Sequence, residues 1–384
     1  MYDFAIIGAG INGLLLAREL GSAGARVLLL ERGKVGREAS WAGGGIVSPL
    51  YPWRYSGAVT ALANWAQAFY PQLARELEDE TGIDVEFCPS GLLMLDAQDA
   101  DEAFDWATSH QRSMEKLGSA EIMTREPAIN PQFEHALWMP DIANVRNPRL
   151  LQALQRSLDY ADQVEIWQDS EVLTFERDGS RIASLTVTGS STASPTQVRA
   201  DQVVITAGAW SQHLLRELSP GLPVAPVKGQ MLLYRFPQPP ISSILLHEGR
   251  YLIPRKDGHV LVGSTLEHVG FDKKATDVAR QSLSTSAAAM LSSLATMNPV
   301  GHWAGLRPGS PQGIPLIGPI EAADNLFISA GQYRNGLVLA PASSRLLADL
   351  ILGREPILDP QPYRPGALTS PDYRASRSNP VPAS

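Results

Sequence analysis

The strongest constraint on the fold lies in the first 31 residues, which combine two apolar runs with a glycine-rich turn. Residues 2–7 form a short apolar run; Gly8, Gly10 and Gly13 follow at the spacing Gly-x-Gly-x-x-Gly, and residues 14–23 have a helical pattern. A second apolar run ends at Glu31. The spacing alone is weak evidence. A preceding strand, a following helix and an acid after the next strand together indicate a dinucleotide-binding βαβ unit.

Each glycine of this turn has its own physical role. Gly8 permits the tight turn, Gly10 lets the backbone approach a pyrophosphate, and Gly13 lets the helix pack closely on the strand. The helix N-terminus then offers free N–H groups and a positive dipole to the pyrophosphate. Glu31 is placed to accept hydrogen bonds from a ribose 2′-hydroxyl and to repel a 2′-phosphate, which disfavours NADP.

The fingerprint does not decide between FAD and NAD. A flavoprotein that reacts with a nicotinamide often carries a second fingerprint, and this sequence contains no second one. The sequence therefore favours a single dinucleotide, with electrons that arrive from a small substrate.

The composition excludes several kinds of partner and site. The 384 residues contain 32 Lys and Arg against 40 Asp and Glu, a formal net charge of −8, which argues against nucleic acid and anionic membranes. The single cysteine, Cys88, excludes an internal disulfide and a cysteine-rich metal site, and the histidines lack metal-ligand spacing, so we expect no metal. We expect a protein of the reducing cytoplasm without stable membrane association, built from two domains or one large discontinuous domain.

Local patterns predict the remaining elements. Helices are predicted at 58–81, 99–118, 147–161, 275–295 and 340–352, with Asn147 as N-cap and Pro148 in the first position of the third. Strands are predicted at 171–177, 182–188 and 197–206 and across 224–265, whereas 40–52 reads as a loop. Residues from 360 onward lack apolar periodicity, which predicts a disordered tail.

At this level of detail the chain resembles the D-amino-acid oxidase and glycine oxidase group of FAD-dependent amine oxidases, closest to the bacterial glycine oxidases of thiamine synthesis. The resemblance runs from about residue 2 to residue 363, and the segments that carry it are 4–13 with Glu31, 39–45, 203–211, 226–230, 251–255, 303–308 and 331–336. Their order is specific to the superfamily, and their power to name a substrate is much weaker.

The resemblance implies an α/β fold with two domains. A discontinuous, Rossmann-like FAD-binding domain would comprise 1–86, 145–223 and 304–362. An α+β substrate-binding domain, built on an antiparallel sheet, would comprise 87–144 and 224–303. Residues 363–384 would form the disordered tail.

The resemblance also implies which residues contact FAD. They are Gly8, Gly10, Ile11, Asn12, Gly13, Glu31, Arg32, Ser40, Gly43, Gly44, Gly45, Val172, Gly208, Trp210, Gly305, Arg334, Asn335, Gly336 and Leu337. Monomeric sarcosine oxidases attach FAD through a cysteine in the C-terminal half, where this chain has none. We therefore expect non-covalent FAD.

A substrate site for an α-amino carboxylate needs a cation, and arginine suits it because its planar fork grips a carboxylate with two hydrogen bonds. Arg307 is the best candidate, because it follows an otherwise apolar stretch, 303–306. By resemblance, Tyr251 and Arg334 also lie near the carboxylate, although Arg334 could equally form a structural ion pair. Leu266 is expected to border the substrate side chain. Trp53 lies in an aromatic loop, 48–55, that could be a lid or an ordinary surface loop.

The resemblance implies an activity and an assembly. We expect oxidation of glycine, or of sarcosine or a small D-amino acid, by hydride transfer to FAD, with O₂ as acceptor and H₂O₂ as product. The alternatives are a D-amino-acid or secondary-amine dehydrogenase that passes electrons to a quinone, and a catalytically silent flavin-binding protein. By resemblance the protein would be a homotetramer that serves thiamine synthesis.

Overall fold

The computed structural model describes residues 1–189 and 194–366. Within these ranges the chain forms seventeen strands and nine α-helices. The strands are β1 Tyr2–Ile7, β2 Val27–Leu30, β3 Leu92–Leu95, β4 Glu115–Gly118, β5 His135–Met139, β6 Val164–Trp167, β7 Ser170–Asp178, β8 Arg181–Gly189, β9 Thr196–Val198, β10 Ala200–Ile205, β11 Ala225–Arg235, β12 Ile244–His247, β13 Arg250–Pro254, β14 His259–Gly263, β15 Gly301–Gly309, β16 Leu316–Pro319 and β17 Leu326–Ala330. The helices are α1 Ile11–Ser22, α2 Ala39–Ala42, α3 Gly57–Thr81, α4 Ala100–Ser109, α5 Ser119–Arg125, α6 Asn147–Asp159, α7 Ser211–Leu214, α8 Asp277–Met290 and α9 Gly336–Leu352.

A six-stranded sheet forms the first layer, in the order β16-β17-β10-β1-β2-β6. Its strands are parallel except for β16, which runs antiparallel to β17. The predominantly apolar strands β1 and β2 are buried in its centre, as expected for a sheet covered on both faces. The carboxyl ends of β1, β2 and β10 lie at one edge, which is where ligands bind in such sheets. The predicted βαβ unit and the α/β fold class are thereby confirmed.

A second sheet has eight strands in the order β15-β11-β14-β13-β12-β3-β5-β4. All neighbours are antiparallel except β12 and β3. Alternate side chains separate its two faces: Leu232 and Leu252 join a core cluster with residues of α8, whereas Met231, Tyr251 and Ile253 join the cluster on the other face. A third, antiparallel sheet contains β7, β8 and β9.

Helix α9 begins four residues earlier than predicted and continues through a proline. Pro341 cannot donate a hydrogen bond to the Leu337 carbonyl one turn earlier. The Tyr70 hydroxyl of α3 donates to this carbonyl instead, at 2.6 Å. The residues 333–352 have the length and mean hydropathy, 1.2, of a membrane span, but 67% of that stretch is buried within the fold.

The predicted helix 99–118 is confirmed in its first half and wrong in its second. Helix α4 ends at Ser109, Gln111 adopts a left-handed backbone with φ 54°, and β4 follows at the edge of the eight-stranded sheet. The residues taken as a helix C-terminus, Lys116 and Gly118, belong to this edge strand, where charged side chains are common. Helix α6 starts at Asn147, so Arg146 rather than Asn147 is its N-cap.

The predicted domain boundary at 304 and the predicted start of the tail both fall on ordered parts of the fold. Strand β15 spans residues 301–309 within the eight-stranded sheet, so the predicted domain boundary at 304 falls inside a strand. The predicted disordered tail is wrong at its start, because Tyr363 is 1% exposed and its hydroxyl donates to the Ala58 carbonyl at 2.8 Å. The rest of the tail, 367–384, lies outside the described residues.

The contact of Tyr363 with α3 should contribute to stability. We expect Tyr363→Ala to lower the free energy of unfolding by about 3–5 kcal/mol, because it empties a buried aromatic site. Tyr363→Phe should cost only about 1 kcal/mol, because it removes the hydrogen bond and keeps the packing. Urea denaturation measures both values. A Tyr363→Ala variant as stable as the wild type would show that the tail starts before this residue.

Candidate active site

One cavity extends from the carboxyl edge of the six-stranded sheet to the face of the eight-stranded sheet that carries Tyr251. The turn after β1, the loop 43–45, the N-terminus of α9 and strand β15 contribute to its wall. Of the residues predicted to contact cofactor or substrate, those on the wall are Gly8, Gly10, Ile11, Asn12, Glu31, Arg32, Ser40, Gly43, Gly44, Gly45, Val172, Gly208, Trp210, Tyr251, Gly305, Arg307, Arg334, Asn335, Gly336 and Leu337.

The glycine-rich turn has the geometry that its spacing predicts. Gly8 has φ +111°, and a Cβ there would lie 2.6 Å from the Thr206 carbonyl oxygen. A Cβ at Gly13 would lie 2.0 Å from the Gly8 oxygen, so this glycine lies at the packing contact of helix and strand rather than on the cavity wall. At Gly10 the nearest atom to a Cβ is Ser40 Oγ, at 3.2 Å, which leaves the backbone open to a ligand.

Two polar side chains complete this end of the cavity. The Glu31 carboxylate accepts hydrogen bonds from the backbone N–H of Ala9 at 2.9 Å and of Gly33 at 3.0 Å, which fixes it at the end of β2. Ser40 Oγ accepts from the Ile11 N–H at 3.0 Å, at the N-terminus of α1. Both groups lie where a dinucleotide's ribose and pyrophosphate need partners.

The cavity wall offers two side-chain amide atoms to a dinucleotide, because these atoms have no hydrogen-bond partner among the described residues. Asn335 Nδ2 and Asn147 Oδ1 are buried without a hydrogen-bond partner among the described residues, although both residues line the cavity. Buried polar atoms are normally paired, so these atoms indicate a polar ligand. Asn335 is also the N-cap of α9, whose first-turn N–H groups and positive dipole favour negative charge in the cavity.

The glycine loop 43–45 is held by two residues, Asn147 and Arg255, that were not among the predicted site residues. Asn147 Nδ2 donates to the carbonyls of Ser40 at 2.8 Å and Gly43 at 3.1 Å. Arg255 donates to the Gly44 carbonyl at 2.7 Å and the Val145 carbonyl at 2.8 Å. Burial lowers the pKa of Arg255 to about 10. The sequence did contain one sign of this role, because Arg255 is a charged residue directly after the apolar run 251–254.

Arg307 lies on β15 and extends along the neighbouring strand β11. A Cβ at Gly229 of β11 would lie 2.2 Å from Arg307 Nη1, so only glycine leaves room for the guanidinium. The guanidinium donates to Ser264 Oγ at 2.6 Å and to the Thr265 carbonyl at 3.2 Å. Burial lowers its pKa, and the charge of Arg334 lowers it further.

Arg307 has neutral partners only. Among the described residues, no carboxylate oxygen lies within 4.0 Å of the guanidinium of Arg307 or of Arg334. A desolvated cation without a counterion is costly unless a ligand supplies the anion. The structural ion pairs that could explain these arginines are therefore absent from the described chain, and both cations remain available to an anionic ligand.

Tyr251 and Tyr333 flank the arginines. The Tyr251 hydroxyl donates to Met231 Sδ at 3.4 Å, and its ring lies 3.0 Å from the position of a Cβ on Gly44. Tyr333 lines the cavity in a left-handed conformation, φ 48°, which is uncommon for an aromatic residue and recurs at functional sites. Burial raises the pKa of Tyr333, so its phenol is protonated at neutral pH.

Two predicted pocket residues lie elsewhere. Neither Trp53 nor Leu266 belongs to the described residues that line the cavity. Trp53 Nε1 donates to Asp99 at 2.5 Å, and Arg54 binds the same carboxylate, so their part of the loop is fastened to α4. Ser48 of this loop does reach the wall. On the other side, Ser264 lies on the wall at the segment where Leu266 was expected.

A dinucleotide-binding turn that shares one cavity with unpaired arginines defines a dinucleotide-dependent oxidoreductase of small anionic substrates. The model of the FAD dependent oxidoreductase family DAO matches residues 3–350. The chain therefore belongs to this family, and its dinucleotide is FAD.

Curated relatives and solved structures agree with the family. A glycine oxidase of Pseudomonas aeruginosa is 54% identical over 360 residues, which cover 94% of this chain and 97% of that protein. A glycine oxidase of Pseudomonas putida is 49% identical with the same coverage. The crystal structure of glycine oxidase from Geobacillus kaustophilus superposes with a TM-score of 0.88 at 29% identity and covers 94% of this chain and 98% of that one.

The space beside Arg307 predicts the effect of one methyl group. We expect Gly229→Ala to weaken binding of acetate, a minimal carboxylate, at least about tenfold in the holoenzyme, because the Cβ displaces the guanidinium. The FAD content should stay unchanged. Gly221→Ala is the control, because a Cβ there meets no atom within 4 Å. Titration calorimetry measures the affinities. Equal acetate affinity in Gly229→Ala and wild type would place the carboxylate site away from Arg307.

Proposed function

We propose that this protein is an FAD-dependent amino-acid oxidase that converts glycine, O₂ and water to glyoxylate, ammonia and H₂O₂. The observation that carries the proposal is the half-buried Arg307, which has no carboxylate partner among the described residues and lines the same cavity as the glycine-rich turn. FAD, when bound, would supply the acceptor for the hydride from the substrate Cα and the route of its electrons to O₂. The imine that leaves hydrolyses to glyoxylate and ammonia.

The side chains that we assign to the substrate are Arg307, Tyr251 and Arg334. The Arg307 fork suits a carboxylate because two parallel hydrogen bonds fix both its position and its orientation. Ser264 and Thr265 hold this fork from one side, so its orientation exists before the substrate arrives. Such preorganisation places the Cα–H bond for reaction at little entropic cost.

No side-chain base is needed for this reaction. The ionisable groups assigned to the substrate end are two arginines and the tyrosines Tyr251 and Tyr333, and among the described residues no carboxylate lies within 4.0 Å of either arginine. We propose that glycine reacts as the neutral amine, whose nitrogen lone pair assists departure of the hydride. The work of this chain is then orientation and charge stabilisation, while FAD supplies the redox chemistry.

The preference for glycine is supported by the relatives at 54% and 49% identity, which are named glycine oxidases. Three bulky side chains, Tyr251, Met231 and Tyr333, line the wall near Arg307, which agrees with a substrate that has no side chain. These relatives do not favour the two alternatives, a dehydrogenase that passes electrons to a quinone and a silent flavin-binding protein.

We also propose the cellular setting. The net charge of −8 and the single cysteine support a cytoplasmic enzyme without nucleic-acid or stable membrane partners. A homotetramer with non-covalent FAD and a role in thiamine synthesis rest on the family resemblance. One relative, from Trichormus variabilis, is named bifunctional protein ThiO/ThiG, and this chain covers 52% of it.

Substitution of Arg307 tests the assignment. We expect Arg307→Ala to raise the KM for glycine about 10- to 150-fold, because the charged hydrogen bonds to the carboxylate are worth about 1.5–3 kcal/mol. The KM of Arg307→Lys should fall between those of the wild type and Arg307→Ala, because lysine keeps the charge and loses the planar fork. Steady-state H₂O₂ production measures both. An unchanged KM in Arg307→Ala would remove this residue from the site.

A further inference from the structure

The strand that supports Arg307 from the side is interrupted by one extra residue. Strand β14 pairs with β11 as far as Gly263, opposite Met231. Pairing resumes where Glu267 bridges to Lys228. Three residues, 264–266, therefore face two residues of β11, 229 and 230. This is the definition of a β-bulge, a feature that redirects backbone and side chains and is frequent beside active sites.

The bulge presents its oxygen atoms to two arginines. Ser264 Oγ accepts from Arg307 Nη2 at 2.6 Å, and the Thr265 carbonyl accepts from Arg307 Nη1 at 3.2 Å. The Ser264 carbonyl accepts from Arg250. In a regular ladder such carbonyls pair with the N–H groups of the adjacent strand. The extra residue therefore provides the acceptors that hold the unpaired guanidinium.

The Thr265 side chain fixes the bulge to the sheet. Its hydroxyl accepts from the Gln230 backbone N–H at 2.9 Å and donates to Glu267 Oε1 at 2.5 Å. The Gln230 side chain donates to the same Glu267 oxygen at 2.8 Å. The Thr265 hydroxyl thus replaces the carbonyl that would accept from the Gln230 N–H in a regular ladder. The same contact positions the Thr265 carbonyl, which accepts from Arg307.

An ion pair between a buried lysine and a half-buried glutamate completes this support. Lys228 is 1% exposed, and its Nζ lies 3.1 Å from Glu267 Oε2 and 3.6 Å from an oxygen of Asp272. Burial alone would raise the pKa of Glu267, but hydrogen bonds from Thr265, Gln230 and Lys228 together lower it. The carboxylate is therefore ionised at neutral pH and accepts from all three groups, which is the condition for a rigid network.

We propose that Thr265 is a positioning residue for substrate binding: its hydroxyl, held by Glu267, fixes the bulge 264–266 so that Arg307 presents its fork to the substrate carboxylate. The inference deepens the proposed function and rests on its assignment of Arg307. Thr265 itself does not line the cavity among the described residues, so it acts through the arginine.

Thr265→Val tests the proposal, because it keeps the shape and removes the hydroxyl. In the holoenzyme we expect an acetate dissociation constant and a glycine KM about tenfold higher, with kcat changed less than about threefold. Thr265→Ser keeps the hydroxyl and should recover most of the affinity. The matched control is Thr174→Val on β7, where the threonine hydroxyl also donates to a glutamate two residues on, Glu176, at 3.0 Å.

A coupling measurement separates positioning from general destabilisation. If Thr265 acts through Arg307, Thr265→Val should lose its effect on acetate binding in an Arg307→Lys background. Glu267→Gln is the second variant, usable should Thr265→Val fail to fold. It keeps the size of the acceptor, removes its charge, and should weaken acetate binding about threefold.

The outcomes are distinct for the two proposals. Acetate affinity equal to the wild type in Thr265→Val, or in Glu267→Gln if only that variant folds, overturns the positioning role. The same holds for an effect of equal size in the Arg307→Lys background. Acetate binding does not require that glycine be the substrate. A wild-type enzyme that binds acetate through Arg307 and leaves glycine unoxidised would therefore contradict the proposed function and leave the role of Thr265 standing.

Discussion

The guanidinium of Arg307 is half-buried at the cavity wall, where its hydrogen-bond partners are neutral acceptors. Gly229 leaves the space that the guanidinium fills, and the bulge at 264–266 supplies two of its acceptors. A cation partly removed from water is costly without a counterion. We propose that an anionic substrate supplies the missing charge, so that the arrangement that costs folding free energy gives affinity and orientation. The FAD-binding turn lies on the other sheet, and one cavity joins the two.

The fold could be predicted from the sequence wherever the motif or apolar pattern that specifies an element lies within one short segment of the chain. The turn between β1 and α1 was predicted in its parts, because the glycine spacing and the flanking strand and helix patterns all lie within one βαβ unit, although the atoms that crowd Gly8 belong to the distant Thr206 and Ala207. Elements that depend on distant partners were not. Helix α9 continues past Pro341 only because Tyr70, far away in the chain, satisfies the Leu337 carbonyl. The edge strand β4 exists through its pairing with β5 and was mistaken for the end of a helix.

The site shows the same division. Residues within conspicuous motifs, such as Glu31, Ser40 and Arg307, line the cavity. The residues that hold the wall in place could not be predicted from the sequence, because Arg255 donates to the Gly44 carbonyl from 211 positions further along the chain. Leu266 was misplaced for a related reason. A single extra residue in a strand exchanges its faces, and nothing in the sequence 263–267 marks the bulge.

The most direct test of the account is the visible absorption spectrum of the purified enzyme under anaerobic conditions, before and after addition of glycine. For an enzyme that oxidises glycine with O₂, the band of oxidised flavin bleaches promptly and returns when air is admitted. Arg307→Ala should need far more glycine for the same bleaching. A flavin band that persists at saturating glycine, while D-alanine or D-proline bleaches it, would contradict glycine as the substrate. A band that none of these compounds bleaches would contradict amino-acid oxidation itself.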